Sequence, residues 1–305
     1  MNNNKNKIDK KNQEDFYYFQ TEFNIQNNSD EMIHHYTSPQ GLIGIFCKKN
    51  IWHTNINCLN DKSEYQYTYN LIKTHILPKY EQILKKHNLY ELLNSRCENL
   101  VDTKFYKLEN EVYFNRNYYI ACFSKAKDSL PMWNYYSCNG NSLGYSLNIS
   151  KSMFQEFLLE KVGINNLLMA EVCYNEDRQK EILEEVFNRY IYDNNALDNT
   201  EQYNLLFDNI RICSLFFKHP KYSYEQEIRN IVIERSDQEN SKIKFREKQG
   251  IIIPYIEFEF NLNMLLSVTV APNNDKEYIK YCVHNLAREN GRFGIKVIDS
   301  EIPAR

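Results

Sequence analysis

Four short stretches of this chain carry side chains able to do chemistry. The first is Tyr222-Ser223-Tyr224-Glu225-Gln226-Glu227-Ile228-Arg229. If Glu225 and Glu227 share a strand, alternation puts both carboxylates on one face with Arg229 beside them. Two neighbouring carboxylates next to a cation suit proton transfer or the stabilisation of a positive transition state. A solvated face on which Arg229 merely neutralises the glutamates weighs about equally.

The second stretch is His34-His35-Tyr36-Thr37-Ser38. On a strand His34 and Tyr36 face one way and His35 the other, so one histidine can point into a cleft while its neighbour packs. The third pairs Cys122-Phe123-Ser124 with Pro131-Met132-Trp133-Asn134-Tyr135-Tyr136. Ser124 ends an apolar run, a place where an exposed hydroxyl meets a ligand, but no Gly-x-Ser-x-Gly elbow surrounds it. Cys122 reads as a buried apolar residue, since no neighbouring charge lowers its thiol pKa. In the fourth, Asn60-Asp61-Lys62-Ser63-Glu64, a cation site competes with a capping box in which Asp61 starts a helix and Glu64 closes it. The cap suffices.

The elements that must position these groups follow from pattern. Ile33–Thr37 reads as a strand, and Ser38-Pro39 as a helix start with Leu42, Ile45 and Phe46 on one face. Ile51–His53 is a short strand. A helix carries Tyr65, Tyr69, Ile72 and Ile76, with Pro78 breaking or restarting it, and helical pattern continues to about Glu98. Tyr118–Phe123 has the residue types of a buried strand. A short helix over Asp128–Tyr136 and a turn at Asn139-Gly140 follow. Strands at Leu143–Leu147 and Leu168–Tyr174 flank a helix near Lys151–Leu159, and two helices lie between Glu176 and Phe217. Glu227–Glu234, Gly250–Phe258, Leu265–Ala271 and Gly294–Ile298 are strands, with a helix over Lys276–Asn290. No repeat or Gly/Ser-rich linker interrupts the series. The expectation is a single α+β domain over 31–305, its mixed or antiparallel central sheet surrounded by helices. Residues 1–30 are expected to form a polar extension, disordered over 1–15, with a short helix where Phe16–Phe23 is aromatic-rich.

Composition narrows the function classes. Of 305 residues 42 % are hydrophobic, enough for one large core, and the net charge of −3 gives no bulk reason to bind nucleic acid or anionic membrane. The eight cysteines stand singly, without zinc-knuckle spacing, as free thiols in a reducing compartment do. Met1–Lys7 lacks the apolar core of a secretory signal, and apolar runs such as Ile251–Ile253 are too short to span a bilayer. A cytoplasmic protein without membrane partner or metal is expected. There is no Gly-rich phosphate loop and no His-Glu-x-x-His.

In order, these stretches resemble a bacterial family, the domain of unknown function 2971. The resemblance rests on Ile33–Ser38, Asn60–Glu64, Cys122–Ser124, Pro131–Tyr136, Tyr224–Arg229 and Ser300-Glu301-Ile302-Pro303-Ala304-Arg305. His34 departs from the family's usual apolar residue, which leaves His35 as the position to carry over. A looser similarity joins an opening His-Tyr strand and a late Glu-x-Glu strand to the ADP-ribosyltransferase fold. That resemblance implies NAD as substrate, His35 at its ribose, Glu227 as the catalytic carboxylate and Glu225 orienting an acceptor. It also implies Tyr136 stacked on nicotinamide, with Tyr36, Thr37, Ser124, Trp133 and Arg229 in the binding wall. The acceptor, protein or nucleic acid or water, is left open, as is the oligomeric state.

Two other classes stay in view. One is a metal-dependent nuclease or hydrolase using His35, Asp61 and Glu227. The other is a non-catalytic sensor or binding module of a phage-defence or toxin system. A shared fold alone does not choose among them.

Overall fold

Among the described residues ten strands join one mixed sheet: β1 (Met32–Thr37), β2 (Asn50–Asn55), β3 (Arg116–Ser124), β4 (Tyr145–Ser150), β5 (Leu167–Glu171), β6 (Glu227–Arg235), β7 (Lys244–Lys248), β8 (Ile251–Glu259), β9 (Leu265–Val270) and β10 (Lys296–Asp299). This computed structural model describes residues 31–58, 63–98, 116–137, 143–192, 199–235, 242–248 and 250–303. The N-terminal extension, the Asp61 cap, the side chain of Glu64, the Asn139-Gly140 turn and the final Ala304-Arg305 lie outside them.

The sheet runs β10-β9-β4-β1-β3-β2-β8-β7, and β6 and β5 branch from it at β3. The pairings are antiparallel except β9 with β10, where Val268 lies beside Val297. The chain is an α+β single domain.

β3 is the hub because its sequence is apolar on both faces. Tyr118 and Ile120 face one core, and Tyr119, Ala121 and Phe123 the other. A strand that buries both sides belongs inside a sheet. The first core is closed by α2 (Ser63–Leu71), α3 (Leu77–Lys86), α4 (Tyr90–Glu98), α6 (Glu176–Tyr192) and α7 (Asn199–Phe216), which contribute Leu71, Leu84, Leu93, Phe187 and Ile210. The second is closed by α1 (Pro39–Lys48), α5 (Lys151–Val162) and α8 (Lys276–Glu289), through Phe46, Phe154 and Val283.

Local chemistry sets several boundaries. Ser38 caps α1 by accepting from Gly41 N, with Pro39 in the first turn. Of the two expectations for Pro78, the restart holds: α2 leads through a π turn, Ile72–Ile76, and Pro78 falls in the first turn of α3, where a missing N–H costs least. β7 escapes pattern reading because Lys-Phe-Arg-Glu-Lys has a single apolar residue, Phe245, and that one is exposed, as on an edge strand. The short helix expected at Asp128–Tyr136 is Leu130–Met132 continued as a π turn over Trp133–Ser137. No described helix is long and apolar enough to cross a membrane.

Candidate functional site

β6 occupies one edge of β3 along its whole length, from Arg116↔Arg235 to Ser124↔Glu227. The other edge is divided. β2 pairs there at Tyr119 and Ile120, and β1 only at Ser124. Between them Ala121, Cys122 and Phe123 have no strand on that side, and β1 and β2 part. A cleft of about 610 Å³ opens at this parting, a size ordinary for small-molecule sites. Its wall includes His35, Tyr36, Thr37, Tyr136, Glu225, Glu227 and Arg229.

The acidic end is built by a turn, not by one strand. Glu225 ends the 3-10 turn Pro220–Glu225, Gln226 takes a left-handed conformation at φ 42°, and Glu227 opens β6. The expectation that both glutamates share a strand is therefore corrected. They meet because Gln226 reverses the local path, a backbone state that costs a non-glycine residue about 1–2 kcal/mol. Lys125 N, donating to Gln226 O at 2.9 Å, helps hold it.

Lys218, just beyond α7, donates to Glu225 Oε2 at 2.5 Å and to Glu227 Oε2 at 3.3 Å. Arg229 grips Glu227 with Nε at 2.9 Å and Nη2 at 3.0 Å, and spends Nη1 on Leu215 O at 2.7 Å. Tyr136 Oη donates to the remaining oxygen of Glu225 at 2.9 Å. Two buried carboxylates are thus matched by two buried cations. Burial alone would push the Glu227 carboxyl up, but Arg229 and Lys218 outweigh it and hold it well below the usual carboxylate range. Burial pushes the Glu225 carboxyl up against the pull of Lys218, and pushes the Tyr136 hydroxyl up as well. The Cys122 thiol also donates to Glu227. Its expected surroundings without charge are corrected, since Arg229 lies directly opposite it on β6.

The two histidines part as strand alternation requires. His34 shares the register row of Ser124 and Glu227, is buried, and joins Asn148 Oδ1 at 2.7 Å through Nδ1. His35 falls on the other side, its ring 5.6 Å from that of Phe123. Its Nδ1 meets Cys122 O at 3.1 Å, a carbonyl on the unpaired edge of β3. A carbonyl only accepts, so Nδ1 carries the proton and Nε2 is left to accept. Burial lowers the pKa of His35, which keeps this ring neutral. One row of directly opposed residues, His34 to Ser124 to Glu227, spans two strand spacings of roughly 5 Å each. His35 and the glutamates therefore reach the cleft from opposite faces of the sheet, meeting through its gap.

Tyr36, on the glutamate side, donates to Ala126 O at 2.6 Å and packs edge-on against Trp133. Trp133 is fully buried, its Nε1 donating to Asp128 Oδ1 at 2.7 Å, and is absent from the cleft wall. Ser124 is also fully buried, which corrects its expected exposure. Its hydroxyl donates to Glu225 O at 2.5 Å and accepts from Ala126 N at 2.9 Å, so it fixes the turn that carries Glu225.

Sequence pattern passed over Lys218 and Arg246 and gave Trp52 and Tyr222 no part in the site, yet all four are in the cleft wall. Lys218 sits in no motif. Its ammonium rests 5.2 Å from the Tyr222 ring, and its backbone is pinned by Gln179 and by the Cys173–Phe217 bridge. Among the described residues no group of three His, Cys, Asp or Glu side chains is placed to hold a metal ion.

Residues 132–230 match the model of a family described as a protein of unknown function (DUF2971). The matched segment takes in Tyr136, Lys218, Glu225, Glu227 and Arg229, and leaves His35 outside. No curated protein and no solved structure matches the chain.

Proposed function

We propose that the cleft binds NAD as a substrate and that the protein is an ADP-ribosyltransferase-like enzyme. The observation that supports this most is the convergence of His35, Tyr136 and the Glu225/Glu227 pair on one gap between β1 and β2. In this reading the neutral Nε2 of His35 accepts from a ribose hydroxyl and the half-exposed Tyr136 ring stacks on nicotinamide. The bond from the ribose anomeric carbon to the nicotinamide nitrogen breaks, and its electron pair leaves with nicotinamide. The positive charge left on the sugar faces the ionised Glu227, a fixed carboxylate that favours the transition state over the ground state. Glu225, held by Tyr136 and Lys218, orients the acceptor. Tyr36, Thr37 and Arg229 complete the wall. A part in bacterial defence or toxin action belongs to the same proposal, because such an activity consumes NAD or modifies a target.

A second reading is favoured by one observation. Both Glu227 oxygens are already engaged by Arg229, as a purely binding or sensing cleft would allow. Labelled NAD incubated with the protein and cell extract separates the two. The enzyme reading expects nicotinamide release or label transfer, falling about 100- to 1,000-fold in Glu227→Gln while NAD still binds. Binding without release, unchanged by that substitution, would establish the module instead.

A further inference from the structure

The corner of the cleft away from the glutamates holds a guanidinium that the proposed chemistry does not use. Arg246, on the edge strand β7, reaches across β8 to β2 and donates from Nη2 to Thr54 Oγ1 at 2.9 Å. Trp52 and Tyr255 both lie to one side of it, their ring centroids 5.0 and 5.9 Å from its central carbon. Those two rings pack against each other, 4.7 Å apart, and form one aromatic platform beside the guanidinium. No described carboxylate pairs with it. Glu257, beside Trp52 in the β2–β8 register, is taken by Lys244. The Arg246 Nε is buried and has no hydrogen-bond partner. Lys48 adds a second cation 5.9 Å from the Trp52 ring. Arg246 is only partly buried, so its free edge can meet a ligand in the cleft, and a planar guanidinium fork fits a tetrahedral or planar oxyanion.

Register fixes where this corner lies. Thr54 pairs with Ile120, and Ile120 with Ile231, four residues along β6 from Glu227. Two strand spacings across and four residues along give roughly 16 Å between the strand positions of Thr54 and Glu227. Alternation puts Thr54, Ile120 and Glu227 on one face. A ligand touching both ends must be elongated.

We infer that Arg246 is the phosphate-binding corner of the cleft and that the ligand is an extended molecule bearing a phosphate or diphosphate far from the glutamates. This deepens the NAD reading, yet its test does not depend on that reading. Calorimetric titration of the full chain with inorganic pyrophosphate, ADP, NAD, nicotinamide riboside and succinate supplies the arms. Pyrophosphate, ADP and NAD are expected to bind, and Arg246→Gln to weaken each about 10- to 100-fold, the worth of a charge-assisted hydrogen bond. Arg246→Lys, which keeps charge but loses the fork, should fall between. Nicotinamide riboside should be indifferent to both. If Arg246→Gln weakens phosphate-free and phosphate-bearing ligands alike, Arg246 only shapes the wall and the inference fails. It fails too if succinate matches pyrophosphate, or if no phosphate compound binds. Pyrophosphate binding that depends on Arg246, with no binding of NAD, would uphold this corner while removing the NAD reading.

Discussion

Replacing Lys218 by Met takes one cation out of the buried quartet while keeping a similar stem. The side chains of Lys218, Glu225 and Glu227 are 6, 4 and 9 % exposed, so water cannot stand in for the lost ammonium. Glu227 keeps both contacts from Arg229, whereas Glu225 keeps only the Tyr136 hydroxyl. The charge left unpaired is therefore that of Glu225. Removing one member of a buried ion pair costs about 3–5 kcal/mol, and part of the Met stem's packing returns, so a loss of about 3 kcal/mol at pH 7.5 is expected. The sign with pH follows. In the variant the folded-state pKa of Glu225 is raised further above its unfolded value, so stability is fullest at low pH and is lost as pH rises through the folded pKa. Between pH 7.5 and 5.5 the variant should recover up to about 2.7 kcal/mol, at about 1.36 kcal/mol per unit. Urea unfolding followed by circular dichroism at both pH values reads this, and adding Glu225→Gln should restore most of the loss at pH 7.5. A penalty under about 1 kcal/mol, or one flat with pH, would refute the picture of a charge-matched buried quartet.

Other parts of the fold make their own predictions. His53 is fully buried, its Nε2 joined to Asn230 Oδ1 at 2.7 Å, and burial lowers its pKa to about 4. Its contribution is thus present above the unfolded value of 6.5 and lost on acidification towards 4; His53→Gln should flatten that decline, on the order of 3 kcal/mol, in melts from pH 7 to 4. Gly41 and Gly44 both lie in α1, yet alanine should act oppositely at them. A Cβ at Gly41 would lie 2.0 Å from Thr37 Oγ1, whereas one at Gly44 meets nothing within 4 Å. Thermal melts should show Gly41→Ala destabilised by about 1–3 kcal/mol and Gly44→Ala stabilised by about 0.5–1 kcal/mol. Asp128 receives Trp133 Nε1, Ser300 Oγ and Glu301 N, tying the Tyr36 wall to the chain's last described turn. Asp128→Ala should cost about 2–3 kcal/mol through those orphaned donors and speed proteolysis after residue 300.

Much of this architecture could be read from side-chain order. β3 announces itself by being apolar on both faces, α1 by its Ser-Pro start, and the parting of His34 from His35 by simple alternation. The cleft could not be read, because it arises where two strands share one edge of β3 and diverge, a matter of long-range pairing. Glu225 and Glu227 could be suspected from spacing, but their meeting depends on the left-handed Gln226, a residue type with no marked preference for that state. Lys218 and Arg246 were invisible for a related reason. One follows a helix without a motif, and the other sits in a strand whose polarity reads as loop until Thr54 and the Trp52–Tyr255 platform are brought beside it. Ser124 shows the converse: a hydroxyl at a strand end looked available until its bond to Glu225 O took it inside.

The most direct test of the central claim is a crystal structure of the protein with a non-cleavable NAD analogue whose ribose ring oxygen is replaced by carbon. The account predicts the analogue in the parting of β1 and β2, with a nicotinamide-ribose hydroxyl within about 3.2 Å of His35 Nε2 and its anomeric carbon facing Glu227. An empty cleft at saturating analogue, or a ligand bound elsewhere on the molecule, would contradict it.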